Sequence, residues 1–248
     1  PGRPAVPSGA VRPPADRPWS AEGPAALPRG APDGLALARV SEAAATEALE
    51  ELRGHFPRAE RPHGPRKSSA MFEVGWSFQA ADQGGPARPA KPLRSFPCLR
   101  HLLAEAMEAL GARGDLHGAR LNVICRRYLP GQGIPLHIDR REMFEEDVYG
   151  CVLENTSDGA LEFRQSARSG EVLRRFCVDE RLGTCLRQRG EARYAWQHGL
   201  EPLGRGERFS VTWRWFAPEH LPAEASGPAR AAPGSPQAAA WRRGGGRP

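Results

Sequence analysis

The sequence predicts an α+β fold in which helices precede a β-sandwich or jelly roll. Two stretches in the first half show apolar residues at helical spacing. From Leu121 onward the pattern changes to seven short runs rich in β-branched and aromatic residues. Helices followed by a series of strands are typical of α+β domains. With 248 residues, 40% of them hydrophobic, the chain is long enough for one substantial core.

Low-complexity segments predict disordered tails at both ends. Residues 1–35 are dense in Pro and Gly, which neither sustain a helix nor bury a core. Residues 221–248 are a second segment of this kind, so the predicted domain spans residues 36–220. The N-terminal tail suits a transit peptide poorly because Ser is scarce. The first residue is Pro1, which leaves open that the natural chain starts upstream.

Two helices are predicted before the strands. In "LARVSEAAATEALEELRGHF", residues 37–56, Ser41 can cap a helix and apolar residues recur at helical spacing. In "PCLRHLLAEAMEALGARG", Pro97 lies near the start of the second helix and Gly111 near its end. The intervening stretch "SAMFEVGWSFQ" has the composition of a strand.

Short strands are predicted through the second half of the chain. Their candidates are "LNVICRRYL", "DVYGCVLEN", "ALEFRQ", "EVLRRFCV", "RLGTCLRQ", "ARYAWQHGL" and "RFSVTWRWF". Each run is bounded by residues that favour turns, as in sandwiches and jelly rolls.

The charge of the chain is concentrated in its tails. The formal net charge is +6, but residues 1–40 and 221–248 hold nine of the 35 basic and only four of the 29 acidic residues. Residues 41–220 are therefore nearly neutral, with 26 basic and 25 acidic residues. Overall basicity thus says little about what the predicted domain binds.

The cysteines and the hydropathy limit the cellular setting. Five cysteines form no CxxC pair, and an odd number favours a reduced compartment, so we expect the cytoplasm or nucleus. An organellar location stays open. No apolar run approaches the roughly 20 residues of a membrane span, and we expect no membrane association.

A candidate metal site lies in "RYLPGQGIPLHIDRREMF". His137 and Asp139 are two residues apart in a predicted extended segment, so their side chains project from one face. His198 follows in "RYAWQHGLEP", and two His with one carboxylate make the facial triad of non-haem iron oxygenases. The alternatives are a solvated strand face for the HxD pair and a turn histidine before Gly199.

A polar strand face in "RFSVTWRWF" is a candidate carboxylate site. Arg208, Ser210 and Arg214 alternate with apolar residues and share one face with Thr212. Such a face is costly to bury unless the groups bind something, and two Arg could hold the two ends of a dicarboxylic acid. A solvated strand face is the alternative.

These motifs together resemble a known family. The stretches "RYLPGQGIPLHIDRREMFEED", "GEARYAWQHGL" and "RFSVTWR" are similar to those of AlkB-like iron- and 2-oxoglutarate-dependent dioxygenases. The resemblance covers residues 36–218 and is strongest to the oxygenase domains that hydroxylate a modified wobble uridine in tRNA. It implies a double-stranded β-helix core with N-terminal supporting helices and the cofactors Fe(II), 2-oxoglutarate and O2.

The resemblance also implies roles for particular residues. His137, Asp139 and His198 would bind iron. The cosubstrate 2-oxoglutarate would be held by Arg208, Ser210, Tyr128 and Arg214. Its distal carboxylate would bind to the first three of these residues. One position departs from the pattern, because Arg126 stands where the family usually has Asn. Arg126 would either serve the 2-oxoglutarate carboxylate or weaken the pocket.

The implied activity is hydroxylation or oxidative demethylation of a modified nucleobase. We expect the substrate to be RNA or tRNA rather than DNA, and the protein to be a monomer. Basic groups beside aromatics suit phosphate contacts and a stacked base. The substrate-binding candidates are Arg66, Lys67, Trp76, Phe78, Arg140 and Arg141. Aromatic core residues and solvated loop charges are the alternatives for these positions. Two other functions stay open: a protein side-chain hydroxylase or demethylase of the same fold, and a catalytically idle binding module.

Overall fold

The structure is a computed structural model that describes residues 27–56, 68–75, 88–112, 114–116 and 120–220. Eleven strands form within these ranges, and every pair in the two sheets is antiparallel. They are β1 (Leu35–Arg39), β2 (Ser68–Gly75), β3 (Arg88–Pro89), β4 (Leu121–Tyr128), β5 (Ile134–His137), β6 (Val148–Asn155), β7 (Glu162–Ser166), β8 (Val172–Cys177), β9 (Thr184–Gln188), β10 (Gln197–Leu200) and β11 (Arg208–Trp215).

The sheet topology confirms the predicted double-stranded β-helix. The large sheet has the order β1-β9-β6-β11-β4-β2-β3, and the small sheet has the order β5-β10-β7-β8. From β4 to β7 the strands alternate between the sheets: β4 and β6 lie in the large sheet, whereas β5 and β7 lie in the small one. A cavity lies between them, with residues of both sheets in its wall.

Two helices support the outer face of the large sheet. They are α1 (Glu42–Arg53) and α2 (Pro97–Ala109), and both contribute to the core cluster that includes Val211 and Trp213 of β11. The Ser41 hydroxyl caps α1 by accepting from the Ala44 amide, as predicted. The N-terminus of α2 is capped by α1, because Glu51 accepts from the amides of Cys98 and Leu99. No helix of the described residues is long and apolar enough to cross a membrane.

The start of the first predicted helix is wrong. Residues 35–39, which include the last residue of the predicted tail, form β1 and pair with β9, with Leu37 opposite Leu186. Leu35 and Leu37 pack in one cluster and Ala38 packs in another, so this segment has a period of two. The helix begins only after Ser41, where the cap allows it.

The strand predicted in "ARYAWQHGL" is correct only in its second half. A short helix, α3 (Gly190–Tyr194), precedes β10, and Ala192 and Arg193 are buried within it. Trp196, between the two elements, is fully buried and donates its indole N–H to Glu191. Burial of both Ala192 and Arg193 fits a helical turn and not a strand, whose neighbouring side chains point to opposite faces.

Candidate metal centre

Strand pairing brings the three predicted metal ligands together. His137 is the last residue of β5, and it lies directly opposite His198 of β10 in the antiparallel register. Asp139 follows β5 by two residues. One potential ligand atom from each side chain lies within 4.8 Å of the others. The pairing explains why two histidines far apart in sequence share one site.

His137 presents one ring nitrogen to the site. Its Nδ1 lies 2.8 Å from the carbonyl oxygen of Pro135, so Nδ1–H donates there and Nε2 keeps its lone pair. Nε2 lies 3.7 Å from Oδ1 of Asp139. Burial lowers the pKa of His137 from its ordinary value, against the opposing effect of Asp139. The ring is therefore neutral at physiological pH and can act as a ligand.

Asp139 is held as an anion by Arg214. Burial alone would raise the pKa of this carboxyl, but the nearby Arg214 guanidinium outweighs it and the pKa lies well below its usual range. Nη1 of Arg214 donates to Oδ2 of Asp139 over 2.6 Å. Arg214 itself is almost fully buried, with its guanidinium 3.9 Å from the centre of the Phe144 ring. The other carboxylate oxygen of Asp139, Oδ1, faces His137 and is directed toward the candidate metal site.

Arg193 fixes the backbone on which Asp139 stands. Its two terminal nitrogens donate to the carbonyl oxygens of Asp139 and Arg140, each over 3.2 Å. The side chain is fully buried. The sequence did not reveal this role, because interpreting "ARYAWQHGL" as a strand hid the helix that orients Arg193.

His198 is partly buried and lines the cavity between the two sheets. Burial lowers its pKa to about 4, although Asp139 opposes the shift. Its Nδ1 is buried and has no hydrogen-bond partner in the described part of the chain. The ring centre lies 4.4 Å from that of His137 and 6.0 Å from that of Phe163. His198 is thus a neutral imidazole, which can offer the lone pair of one ring nitrogen to a metal ion.

These properties fit a metal ion. Two neutral imidazoles and one ionised carboxylate are the protonation states that metal ligation requires. The set is that of the facial triad, which leaves positions for further ligands on iron. Second contacts of the kind that orient metal ligands are present as well, from Pro135 to His137 and from Arg214 to Asp139.

The predicted 2-oxoglutarate residues line the cavity beside the three ligands. All eight positions predicted for metal and cosubstrate contribute to its wall, namely Arg126, Tyr128, His137, Asp139, His198, Arg208, Ser210 and Arg214. The alternation of β11 accounts for this, because Phe209, Val211 and Trp213 face the core instead. Tyr128 and Arg126 of β4 lie opposite Arg208 and Ser210 in the register. The polar face of β11 is therefore not a solvated face.

Arg208 already has a carboxylate partner within the chain. Its Nε and Nη2 donate to the two oxygens of Glu180 over 2.7 and 2.5 Å, and its Nη1 donates to Ser210 over 2.8 Å. Both side chains of the ion pair are buried. Nothing in the sequence indicated Glu180, which stands between Asp179 and Arg181 in what reads as a charged turn.

Of the predicted substrate-binding residues, the two that the structure describes, Arg140 and Arg141, are not part of this cavity wall. Arg140 and Arg141 directly follow Asp139 and are exposed, and Arg141 donates to the carbonyl oxygen of Tyr194 over 2.5 Å. The predicted contacts from Arg66, Lys67, Trp76 and Phe78 fall outside the described residues.

A curated relative shares sequence with part of the chain. The chain is 30% identical over 98 residues to tRNA (carboxymethyluridine(34)-5-O)-methyltransferase alkbh8 of Xenopus tropicalis. The match covers 40% of this chain and 14% of that protein, so the chain spans a small part of the relative's length. No family model matches the chain.

Two solved structures were also similar. The chain aligns with a Pseudomonas putida prolyl-4-hydroxylase at a TM-score of 0.44 and 18% identity, covering 74% of this chain and 93% of the other. It aligns with a Trichoplax adhaerens prolyl hydroxylase, solved with a hypoxia inducible factor peptide, at 0.45 and 16% identity, covering 76% and 86%.

The quoted motifs, the sheet topology, the clustered donors and the sequence match agree with one another. Together they show that the chain resembles the AlkB-like iron- and 2-oxoglutarate-dependent dioxygenases.

Proposed function

We propose that residues 36–220 form a dioxygenase domain that hydroxylates or oxidatively demethylates a modified nucleobase in RNA. The observation that carries the proposed chemistry is the cluster of His137, Asp139 and His198 at the wall of a cavity that also holds buried arginines. When bound there, Fe(II) would bring 2-oxoglutarate and O2 together and direct the oxidation to a C–H bond of the substrate.

The residues around the proposed metal have separable tasks. Arg214 keeps Asp139 ionised and turned toward the centre, and the Pro135 carbonyl selects the His137 tautomer whose Nε2 is free to bind. Burial keeps His198 neutral. Arg193 holds the backbone after β5 in place. These contacts preorganise the three donors before any ligand arrives, which reduces the cost of assembling the site.

An RNA substrate is supported by the curated relative and by charge near the centre. The relative's name states that it acts on a tRNA uridine. Arg140 and Arg141 are exposed immediately after Asp139, where guanidinium groups could contact phosphate. A domain of nearly zero net charge offers no broad positive field, so we infer that specificity comes from a few such groups.

Nucleoside mass spectrometry would test this proposal. Total tRNA and mRNA would be incubated with Fe(II), 2-oxoglutarate and either the wild type or Asp139→Ala, and then digested to nucleosides. We expect one modified nucleoside to change with the wild type alone. The alternative is a protein side-chain substrate, which the near-neutral charge of residues 41–220 favours. A parallel digest of total protein tests it.

The outcomes separate the candidates. Hydroxylation adds one oxygen atom, about 16 mass units. A metal-dependent gain of this mass in peptides, with unchanged nucleosides, would show that the substrate is protein and not RNA. No change in either pool, together with no succinate formation, would favour an idle binding module.

A further inference from the structure

The Arg208–Glu180 ion pair occupies the position that the proposed function assigns to a ligand. Glu180 engages the Nε and Nη2 edge of the Arg208 guanidinium with both carboxylate oxygens, and Ser210 accepts from Nη1. A carboxylate on this edge is the bidentate arrangement in which an arginine binds a dicarboxylic acid. The edge of Arg208 that would take the distal carboxylate of 2-oxoglutarate is therefore in use.

A second carboxylate cannot simply join the pair. The side chains of Arg208 and Glu180 are 6% and 1% exposed, so solvent screens the charges of the pair only weakly. A further anion beside Glu180 would meet like-charge repulsion in this buried setting. The free volume of the cavity is about 60 Å³, which is room for a few water molecules at about 10–15 Å³ each.

Glu180 stands where it can leave without disturbing a sheet. It lies in the loop between β8 and β9, next to the partly exposed side chains of Asp179 and Arg181. The turn that follows is held by contacts of its own: the Arg181 amide donates to Thr184, and the Gly183 amide donates to the Val152 carbonyl. Rotation of the Glu180 side chain would break none of these bonds.

We propose that Glu180 is an internal carboxylate ligand of the cosubstrate site, which 2-oxoglutarate must displace from Arg208 in order to bind. This inference rests on the proposed function. Glu180 would then help to determine cosubstrate affinity and specificity. The free energy gained when Arg208 binds the distal carboxylate would be offset in part by the cost of breaking the Arg208–Glu180 ion pair. A 2-oxo acid without a distal carboxylate requires no such release.

Calorimetric titration of the full chain tests the proposal, with Mn²⁺ in place of Fe²⁺ so that no turnover occurs. The two ligands are 2-oxoglutarate and 2-oxovalerate, which has a methyl group where 2-oxoglutarate has its distal carboxylate. Glu180→Gln retains a side chain of similar size but removes the competing charge. We expect it to lower the Kd for 2-oxoglutarate at least tenfold and to leave the Kd for 2-oxovalerate within about twofold.

The matched control is Glu162→Gln. Glu162 is another buried glutamate, with ion pairs to Arg164 and Arg175, and it is not part of the cavity wall. This variant should bind both acids as the wild type does. An unchanged or raised Kd for 2-oxoglutarate in Glu180→Gln would overturn the proposal and make the ion pair purely structural.

The wild type supplies a test that needs no folded variant. If Glu180 competes, the wild type should prefer 2-oxoglutarate over 2-oxovalerate by less than about tenfold, whereas an unopposed bidentate arginine contributes more. A preference above a hundredfold would overturn the proposal while leaving the proposed function intact. Failure of the Mn²⁺-loaded wild type and of Glu180→Gln to bind either acid would overturn both.

Discussion

Single residues set the electrostatics of the centre, and Arg214 has the largest part in this. Asp139 is the anion of the cluster, and its ionisation in a buried site depends on the Arg214 guanidinium. The neutral state of His198 depends on burial instead. The same site therefore contains a charge that is stabilised by a partner and two rings whose pKa values are lowered by partial burial.

The stability of the metal-free protein should decrease in mild acid because of His198. Its folded pKa of about 4 lies below the ordinary 6.5, so the unfolded state binds more protons between these values. The contribution of His198 is fully present above pH 6.5 and is lost as the pH falls toward 4, by at most about 1.4 kcal/mol per pH unit. His137 acts in the same direction.

Urea denaturation at several pH values would measure this loss. His198→Gln should show a shallower decrease of unfolding free energy below pH 6.5 than the wild type. His101→Gln is the control, because His101 is exposed on α2 and distant in sequence from the cluster. If both variants retain the slope of the wild type, His198 is not the titrating group.

Arg193 should act as a positioning residue for the metal. Arg193→Met keeps much of the buried side chain but removes the bonds to the Asp139 and Arg140 carbonyls. Loss of such outer contacts typically weakens metal affinity by about 10–100-fold. Mn²⁺ titration would show this, with Arg189→Met, which removes a half-exposed ion pair to Asp147, as the control. Equal affinities for both variants would assign Arg193 a purely structural role.

At the level of elements, the pairing of β5 with β10 places the two histidines. Their register sets His137 opposite His198 and Leu200 opposite Ile134. The strands approach closely at Gly199, where a Cβ would lie 2.8 Å from the Ile134 carbonyl oxygen and 2.9 Å from the Leu136 amide nitrogen. Backbone atoms cannot yield as a flexible side chain can, so glycine is required here.

Gly199→Ala should therefore separate β10 from β5. We expect a loss of about 1–3 kcal/mol in unfolding free energy, together with weaker Mn²⁺ binding because His198 moves with its strand. Gly54→Ala is the control, since a Cβ at Gly54 meets no atom within 4 Å. Thermal unfolding and metal titration of both variants measure the effect. A Gly199→Ala protein that binds Mn²⁺ normally would show that the close approach does not position the centre.

The elements show which parts of the fold were predictable. The strands β4, β6 to β9 and β11 and the Ser41 cap of α1 follow from local patterns of apolar residues and turn formers. The cap of α2 does not, because Glu51 of α1 supplies it. Residues 35–39 were mistaken for helix because Leu37 and Val40 fit both periods, and only pairing with β9 decides between them. Helix α3 was missed for a similar reason: it is five residues long, too short for a periodic signal.

At the scale of the whole molecule, the metal centre could be predicted only from several motifs taken together. The HxD pair, His198 and the polar face of β11 each had a non-functional alternative, such as a solvated strand face. Only the family resemblance and the sheet topology indicate that they line one cavity. Glu180 and Arg193 could not be found in this way. Their roles arise from hydrogen bonds between residues more than 25 positions apart in sequence, in segments whose composition is that of an ordinary turn or strand.

The distribution of charge over the molecule predicts how RNA binding should respond to salt. Deleting residues 1–34 and 222–248 removes arginines that lie outside the domain and leaves it nearly neutral. We expect the slope of log affinity against log salt to become shallower, while the modified nucleoside stays the same. Filter binding at several salt concentrations measures the slope. An unchanged slope would mean that the domain itself supplies the phosphate contacts.

The formation of succinate from 2-oxoglutarate is the most direct test of the central claim that His137, Asp139 and His198 hold a catalytic iron. The wild type and Asp139→Ala would be loaded with Fe(II) under anaerobic conditions, and the reaction would be started with O2. The wild type should form succinate, and Asp139→Ala should form none, because it lacks the anionic ligand that Arg214 orients. Equal succinate formation by the two proteins would contradict the assignment of the metal centre.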